Sequence, residues 1–412
     1  MTSSAEGARA QSAAAREKLL RHPRDRRALT VMSVAHGIQH FYVGGLALSY
    51  PFVIVQFHVS YAVLGVVLTI AGLLGGLLQG TAGLLRRMSA RAIVTAQDAG
   101  LAVASLLGAF APGFGLFAAA RVLGAAVSWP QHPVGSAYLS DRFPHRRATV
   151  LSWHTAGGSI GTVIAPLVLS AVIATAGWRS GLVVLGAALL AGGIIVRAAL
   201  PMEQRAAAPA ADPAAVPAPP ATPLRQVLLR RRVVALLIAS TVAAGGRGLG
   251  VLTTYVPAYL RSGLHLPTLT VGALFTAVVA ASVAGPVIGG TLADKFGRVR
   301  TLVITYLGGA AALVAFGYAG SNVAMLAVLG VCVGVLAYTE SPLLQAVFSD
   351  LTGNGSARSA FGAFFAVSFG IGSVWTAVIG WIVTTAGFPV AFAVMAGSFV
   401  AAAAIVLAFV RE

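Results

Sequence analysis

Charge is scarce in this 412-residue chain: 9% of its residues are Asp, Glu, Lys or Arg, against 58% hydrophobic. A water-soluble domain usually carries about 25% charged residues. A polar surface cannot be built from so few, so most of the chain must face lipid or other apolar helices. Cysteine is nearly absent. Cys332 stands alone within an apolar run, which excludes an internal disulfide and a cysteine-built metal site. No nucleophile–base pair and no metal-ligand spacing is present, so no enzyme activity, metal or cofactor is expected. The glycine run from Gly245 to Gly250 looks like a phosphate loop, but no strand precedes it and it lies inside an apolar stretch. The first 27 residues are polar and basic and lack the apolar core of a secretory signal. Acidic residues number 11 against 28 Lys plus Arg, for a net charge of +17. That excess does not point to nucleic acid, because the basic residues sit in short loops between apolar runs rather than on one polar face.

What the chain does have is long apolar runs. Crossing a hydrocarbon core of roughly 30 Å takes about 20 residues. Runs of that length lie near 28–56, 60–85, 90–110, 113–139, 146–174 and 179–199, then near 232–260, 268–292, 299–319, 322–349, 357–384 and 387–410. They predict an all-α membrane protein of twelve transmembrane helices in two halves, 28–199 and 232–410. Residues 1–27 form a basic tail, and 200–231 is an Ala- and Pro-rich linker with little to bury. Arg121 and Arg247 fall inside spans, and Arg179 and Arg261 fall in loops on one side; every other Lys and Arg lies on the opposite side. The positive-inside rule then predicts an inner-membrane protein with both termini and the linker in the cytoplasm.

The two halves repeat. Pro51 matches Pro257, Gly65 matches Gly272, Gly83 matches Gly290 and Arg91 matches Arg298. Pro133 matches Pro342, Asp141 matches Asp350, Gly161 matches Gly372 and Gly177 matches Gly387. The offset drifts slowly from 206 to 211, as small loop insertions produce. Two six-helix halves related in this way are an architecture of secondary transporters, with the site between them near the midplane. Glycines recur at helix-packing intervals, at Gly72, Gly76 and Gly80, at Gly157 and Gly161, and at Gly285 and Gly289.

One loop is distinctive. Gly289 to Arg300 reads GGTLADKFGRVR, of the form G-x-L-A-D-x-x-G-R-x-R. Gly290 is suited to close approach of two helix ends, Asp294 to capping a neighbouring helix N-terminus, and Lys295, Arg298 and Arg300 to holding the loop in the cytoplasm. The pattern resembles the cytoplasmic loop signature of the major facilitator superfamily of twelve-helix secondary transporters. The first-half copy is degraded, with Arg87 where the carboxylate should stand. The resemblance implies alternating access, with Gly290, Asp294 and Arg298 in a gate. Asp141 and Arg147 of the loop after span 4, with their counterparts Asp350 and Arg358, are the other gating candidates.

Ionisable groups inside a span are costly and are functional candidates by default. Here they are His36 and His40 in span 1, Asp98 in span 3, Arg121 and His132 in span 4, His154 in span 5, Arg247 in span 7 and Glu340 in span 10. In the superfamily, spans 1, 4, 7 and 10 line the central cavity, and six of these eight groups lie on those spans. His36 and His40, four residues apart, share a helix face, as do Arg121, Ser128 and His132. Such a cavity is net positive and attracts an anion. The candidate substrate contacts are Arg121, Arg247, His132, Gln39 and Tyr255. The candidate proton carriers are Glu340, His36 and His40. Each has a plainer reading: an ion pair with Glu340 or a tie to helix carbonyls for the arginines, hydrogen bonds at helix kinks for His36 and His40, and repair of the backbone around Pro133 for His132. Asp98 reads as structural, within reach of loop arginines, and His154 as a packing residue.

Within the family, His132-Pro133-Val134-Gly135, Phe143 to Arg147, Gly157 to Gly161, Gly177-Trp178-Arg179, and His36 with His40-Phe41-Tyr42 look like the fosmidomycin-resistance branch. That resemblance implies proton-driven export of a drug such as a phosphonate antibiotic. The expected partners are therefore a small, anionic substrate, protons and membrane lipid, with the chain acting as a monomer.

Overall fold

In lipid a helix satisfies every backbone N–H and C=O within one segment, which is why apolar runs of this length become helices. The computed structural model describes residues 22–79, 81, 85, 88–143, 146–202, 224–352 and 357–410, with backbone alone for 148, 224 and 357–360. No strand occurs among the described residues. Span 1 is Pro23–Phe57, span 2 Tyr61–Gln79 and span 3 Ala90–Ala109. Span 4 is split into Phe114–Ser128 and Gln131–Arg142. Spans 5 and 6 share one helical run, Arg147–Ala199, broken at Gly177. Spans 7 to 12 are Arg231–Gly263, Thr268–Phe296, Arg298–Gly317, Val323–Thr352, Phe361–Ala386 and Phe388–Phe409. The chain is thus a twelve-helix membrane protein.

The boundaries differ from expectation where proline and glycine act. Span 1 begins at Pro23 rather than near residue 28, because a proline at the first helical turn loses no hydrogen bond. Leu224–Leu228, expected in the linker, is a short helix. Residues 1–21 of the tail, 203–223 of the linker and the Gly83–Arg87 copy of the loop signature (except Leu85) lie outside the described residues.

The halves repeat in backbone geometry as well as in sequence. Gly177 turns the chain from span 5 to span 6 at φ 83°, ψ 164°, and Gly387 turns it from span 11 to span 12 at φ 84°, ψ 173°. His58 and His265 both adopt left-handed φ, 51° and 55°, after spans 1 and 7. They are related by the same offset as Gly65 and Gly272. The glycine turns use a region of backbone space that is essentially closed to other residues. Gly177→Ala and Gly387→Ala are each expected to cost about 1–3 kcal/mol. The check is the thermal midpoint in detergent, with Gly397→Ala, where a methyl meets nothing, as the neutral control.

Arg26, Arg142, Arg146, Arg230 and Arg298 mark one end of the bundle, called here the basic face. The halves join at the other end and at mid-depth. Tyr61 donates to Ser262 Oγ at 2.8 Å, and the Ala62 N–H donates to Thr384 at 3.1 Å. Thr69 donates to the Ser373 carbonyl at 2.9 Å, and Ser373 donates back to the Thr69 carbonyl at 3.1 Å. Glycine permits this approach: a methyl on Gly76 would stand 2.6 Å from Gly370 Cα, and one on Gly272 would meet the Pro166 carbonyl at 2.8 Å. Toward the basic face, Trp153 and Ile160 of span 5 are more than half exposed and line a groove with Ser33, Gly37 and Phe41 of span 1, within the N-terminal half. Among the described residues, the ion pairs at that end stay within one half: Arg142–Asp25 at 2.8 Å, and Arg298–Asp350.

Candidate functional site

Two polar clusters lie inside the bundle, one in each half. The N-terminal cluster is built by the close approach of spans 1 and 5. Gly37, Gly157 and Gly161 bring the two backbones into contact, so that a methyl on Gly37 would lie 2.9 Å from the Gly157 carbonyl oxygen. That contact sets the imidazoles of span 1 against span 5. His36 Nδ1 lies 2.8 Å from the His154 carbonyl, and His40 Nδ1 lies 3.0 Å from Thr162 Oγ1. The His154 ring stacks on His36 with centroids 4.2 Å apart.

Span 4 supplies the rest of the cluster. Its helix breaks at Trp129-Pro130, where proline lacks the N–H needed to continue. The backbone freed there is taken up by Gln97, whose Oε1 accepts from the Gln131 N–H at 2.7 Å. Gln39 Nε2 donates to the Ser128 carbonyl at 3.1 Å. The repair expected of His132 is therefore done by Gln97 and Gln39, and His132 is left exposed, 5.0 Å from His36 and 5.5 Å from His40 by ring centroids. About three turns before His132, toward the opposite face of the membrane, is a second group. Arg121 Nη1 donates to the Tyr42 hydroxyl at 3.2 Å, with Tyr50 against the same guanidinium. Among the described residues Arg121 has no carboxylate partner.

The C-terminal cluster is centred on Arg247. Span 7 unwinds after Ala243, and Arg247 takes an extended backbone at φ −66°, ψ 137°, with Gly250 at φ 104° just beyond. The glycine run thus breaks a helix. The unwinding frees the Ser240 carbonyl, and the π-helical turn Ala366–Gly370 of span 11 frees that of Ser368. Arg247 answers both. It donates to the Ser240 carbonyl at 2.8 Å, to Ser240 Oγ at 3.0 Å and to the Ser368 carbonyl at 2.6 Å, and its Nε pairs with Glu340. Its guanidinium lies over the Phe369 ring, 4.9 Å from the centroid. Arg247 and Glu340 are almost fully buried, and Tyr306 lies beside the carboxylate. A buried charge persists only when paired and hydrogen-bonded, and this one is both.

Of the residues expected to share one cavity, Arg121 and His132 belong to the N-terminal cluster and Arg247 and Glu340 to the C-terminal one. Arg247 and Glu340 face each other, which is the plainer ion-pair reading, and no described hydrogen bond joins them to the N-terminal cluster. Tyr255 is fully buried in the join between halves, where its hydroxyl donates to the Thr376 carbonyl at 2.5 Å. Among the described residues Asp98 meets no loop arginine; it is buried beside Gln97 and against Gly192 and Gly193 of span 6.

The residues expected to gate also fall within single halves. Asp294 is exposed in the last turn of span 8 and lines a cavity of about 530 Å³ with Arg232, Arg298 and Asp350, all of the C-terminal half. Arg147 Nε donates to the Ser140 carbonyl at 3.3 Å, and Asp141 is exposed nearby. Close helix approach, assigned from sequence to Gly290, belongs instead to Gly285 and Gly289, which abut Val335 and Thr339 of span 10; a methyl on Gly290 meets nothing. The Arg358 side chain lies outside the described residues.

Sequence reasoning missed the partners more than the principals. Tyr42, Tyr50, Thr162, Ser240 and Ser368 become functional candidates through hydrogen bonds between elements. A hydroxyl on an apolar helix carries no sign of which neighbour it will meet.

The family model for the Major Facilitator Superfamily matches residues 32–375 and 248–412. No curated protein sequence matches the chain. Among solved structures, the nucleoside transporter NupG is similar with a TM-score of 0.78 at 14% identity, over 93% of this chain and 99% of that one. A bacterial homolog of the human lysosomal transporter Spinster, in an inward-facing and occupied conformation, is similar with a TM-score of 0.72 at 16% identity, over 94% and 95%. With twelve spans, two repeated halves and a family match along nearly its whole length, the chain belongs to the major facilitator superfamily of membrane transporters.

Proposed function

We propose that this chain is a proton-coupled exporter of small organic anions that works by alternating access in the inner membrane. The observation that carries the reading is Arg121: a guanidinium within the membrane, beside two tyrosine hydroxyls and without a carboxylate among the described residues. A positive charge left unneutralised in low dielectric attracts an anion strongly. Guanidinium suits a carboxylate or phosphonate through its paired N–H groups, and Tyr42 and Tyr50 add donors beside it. Gln39 and His132 lie on the same side of the N-terminal half.

Glu340 is the proposed proton carrier. Its carboxylate holds Arg247, which in turn ties the broken segment of span 7 to span 11. Protonation removes the charge that holds Arg247 and loosens three spans together. With the basic face in the cytoplasm, as the charge asymmetry argues, the halves are joined on the far side around Tyr61, Ser262 and Tyr255. A join on that side is what an exporter loading from the cytoplasm needs. Asp294, Arg298, Asp350, Asp141 and Arg147 would meet across the halves when the basic face closes.

The test is a pH-jump assay in proteoliposomes with a panel of carboxylates and phosphonates, and with nucleosides as the uncharged comparison. Anions are expected to drive proton movement. Arg121→Lys should lower transport about a hundredfold, as loss of roughly 3 kcal/mol of charge-assisted contact implies. Proton movement driven by nucleosides alone, by no anion, or equally well by Arg121→Lys would overturn the reading.

A further inference from the structure

We propose that His36, His40 and His132 form a binding site for a divalent transition-metal cation of the zinc type. One ring nitrogen from each lies within 4.8 Å of the others. Zinc–imidazole bonds of about 2.0–2.1 Å set ligand nitrogens about 3.4 Å apart in a tetrahedral site, so closure needs shifts of an ångström or so. The exposed His132 is free to make them. The rings stand nearly perpendicular to one another, at 83°, 89° and 89°.

Hydrogen bonding has already fixed two of the three tautomers. The His154 carbonyl can only accept, so His36 Nδ1 carries the proton and Nε2 holds a lone pair. That Nε2 is buried without a partner. The Thr162 hydroxyl is spent on the Gly158 carbonyl at 3.2 Å, so its oxygen accepts from His40 Nδ1, and His40 Nε2 is also left with a lone pair. A ligating histidine almost always donates its second nitrogen to a fixed acceptor in this way. The acceptors both come from span 5, and the ligands come from spans 1 and 4. His154 contributes its carbonyl and a stacked ring.

The donor set identifies the class of ion. Three imidazoles with no carboxylate among them favour zinc, copper or nickel over magnesium or calcium. Three protein ligands leave a fourth position, which faces the exposed side at His132 and takes water or an anionic group. A bound ion would also tie span 1 to the segment of span 4 that follows its break. The site shares His132 with the candidate anion contacts but does not include Arg121, so loss of metal binding and loss of anion transport in Arg121→Lys are separate outcomes.

The test uses the full chain, purified in detergent without a polyhistidine tag and stripped with chelator. Cobalt(II) serves as the absorbing probe and zinc as its competitor. One cobalt per chain with a tetrahedral spectrum, displaced by zinc, is expected. His36→Ala and His132→Gln should each weaken binding tenfold or more, and Thr162→Val should weaken it about tenfold through His40. His58→Ala with His265→Ala should leave it intact. His132→Gln changes an exposed side chain, so its effect is separable from misfolding by unchanged size-exclusion elution. Absence of saturable binding, or binding that survives both His36→Ala and His132→Gln, would overturn the site.

Discussion

Glu340→Ala should be among the most destabilising single substitutions in the chain, costing about 3–5 kcal/mol, because it leaves a buried guanidinium without its counter-charge. The pair lies between two helix irregularities, so the loss is felt by spans 7, 10 and 11 together. Arg247 would still donate to the Ser240 and Ser368 carbonyls, but those groups are neutral and cannot balance it. Glu340→Gln keeps the shape and an acceptor and should cost less. Replacing both members by apolar residues of similar volume, Arg247→Met with Glu340→Leu, should recover much of the stability, since a buried pair pays heavy desolvation. The doubly substituted chain is nonetheless expected to lose proton-driven transport. The measurements are thermal midpoint in detergent and substrate-driven proton flux in liposomes. A Glu340→Ala chain as stable as the parent would show that the carboxylate does not compensate Arg247. Full flux in the double variant would remove Glu340 from coupling.

Gly161→Val is expected to disrupt the N-terminal half. A methyl at Gly161 points straight at the Gly37 carbonyl, and the obstacle is backbone rather than a side-chain tip that can swing aside. Relief requires spans 1 and 5 to separate. Overpacking in a close-packed interior costs about 1–3 kcal/mol and sometimes more, and two β-branched methyls against a backbone belong at the upper end. Separation would also pull His36 from the His154 carbonyl and His40 from Thr162, so metal binding should fall with stability. Gly290→Ala provides the contrast, since a methyl there meets nothing and should leave the midpoint unchanged. Equal midpoints for the two variants would mean that spans 1 and 5 are not held by this contact.

The histidine cluster shows where sequence reading stopped. His36 and His40 were legible as one helix face from their spacing. His132 is 92 positions further on, and metal-ligand spacing searches look within short segments. Nothing local records that the break at Pro130 swings the following helix toward span 1. Arg247 shows the same limit in another form. Its position inside a span marked it as functional, but whether its donors face an anion or a carboxylate depended on unwinding at Gly245–Gly250 and on a bulge more than a hundred residues away in span 11. Tyr255 was placed by its span alone, and the structure seals it into the join between halves.

The twelve crossings, the repeat of two halves and the family followed from sequence by itself, because hydrophobic length, charge asymmetry and glycine turns are local properties that lipid reads one segment at a time. Only the tertiary structure decided which polar groups meet. It paired Arg247 with Glu340, left Arg121 with tyrosines and gathered three histidines from two spans. The physical reason is that apolar packing places helices with little regard to their few polar side chains, and each polar group must then find its partner across an interface that no single segment encodes.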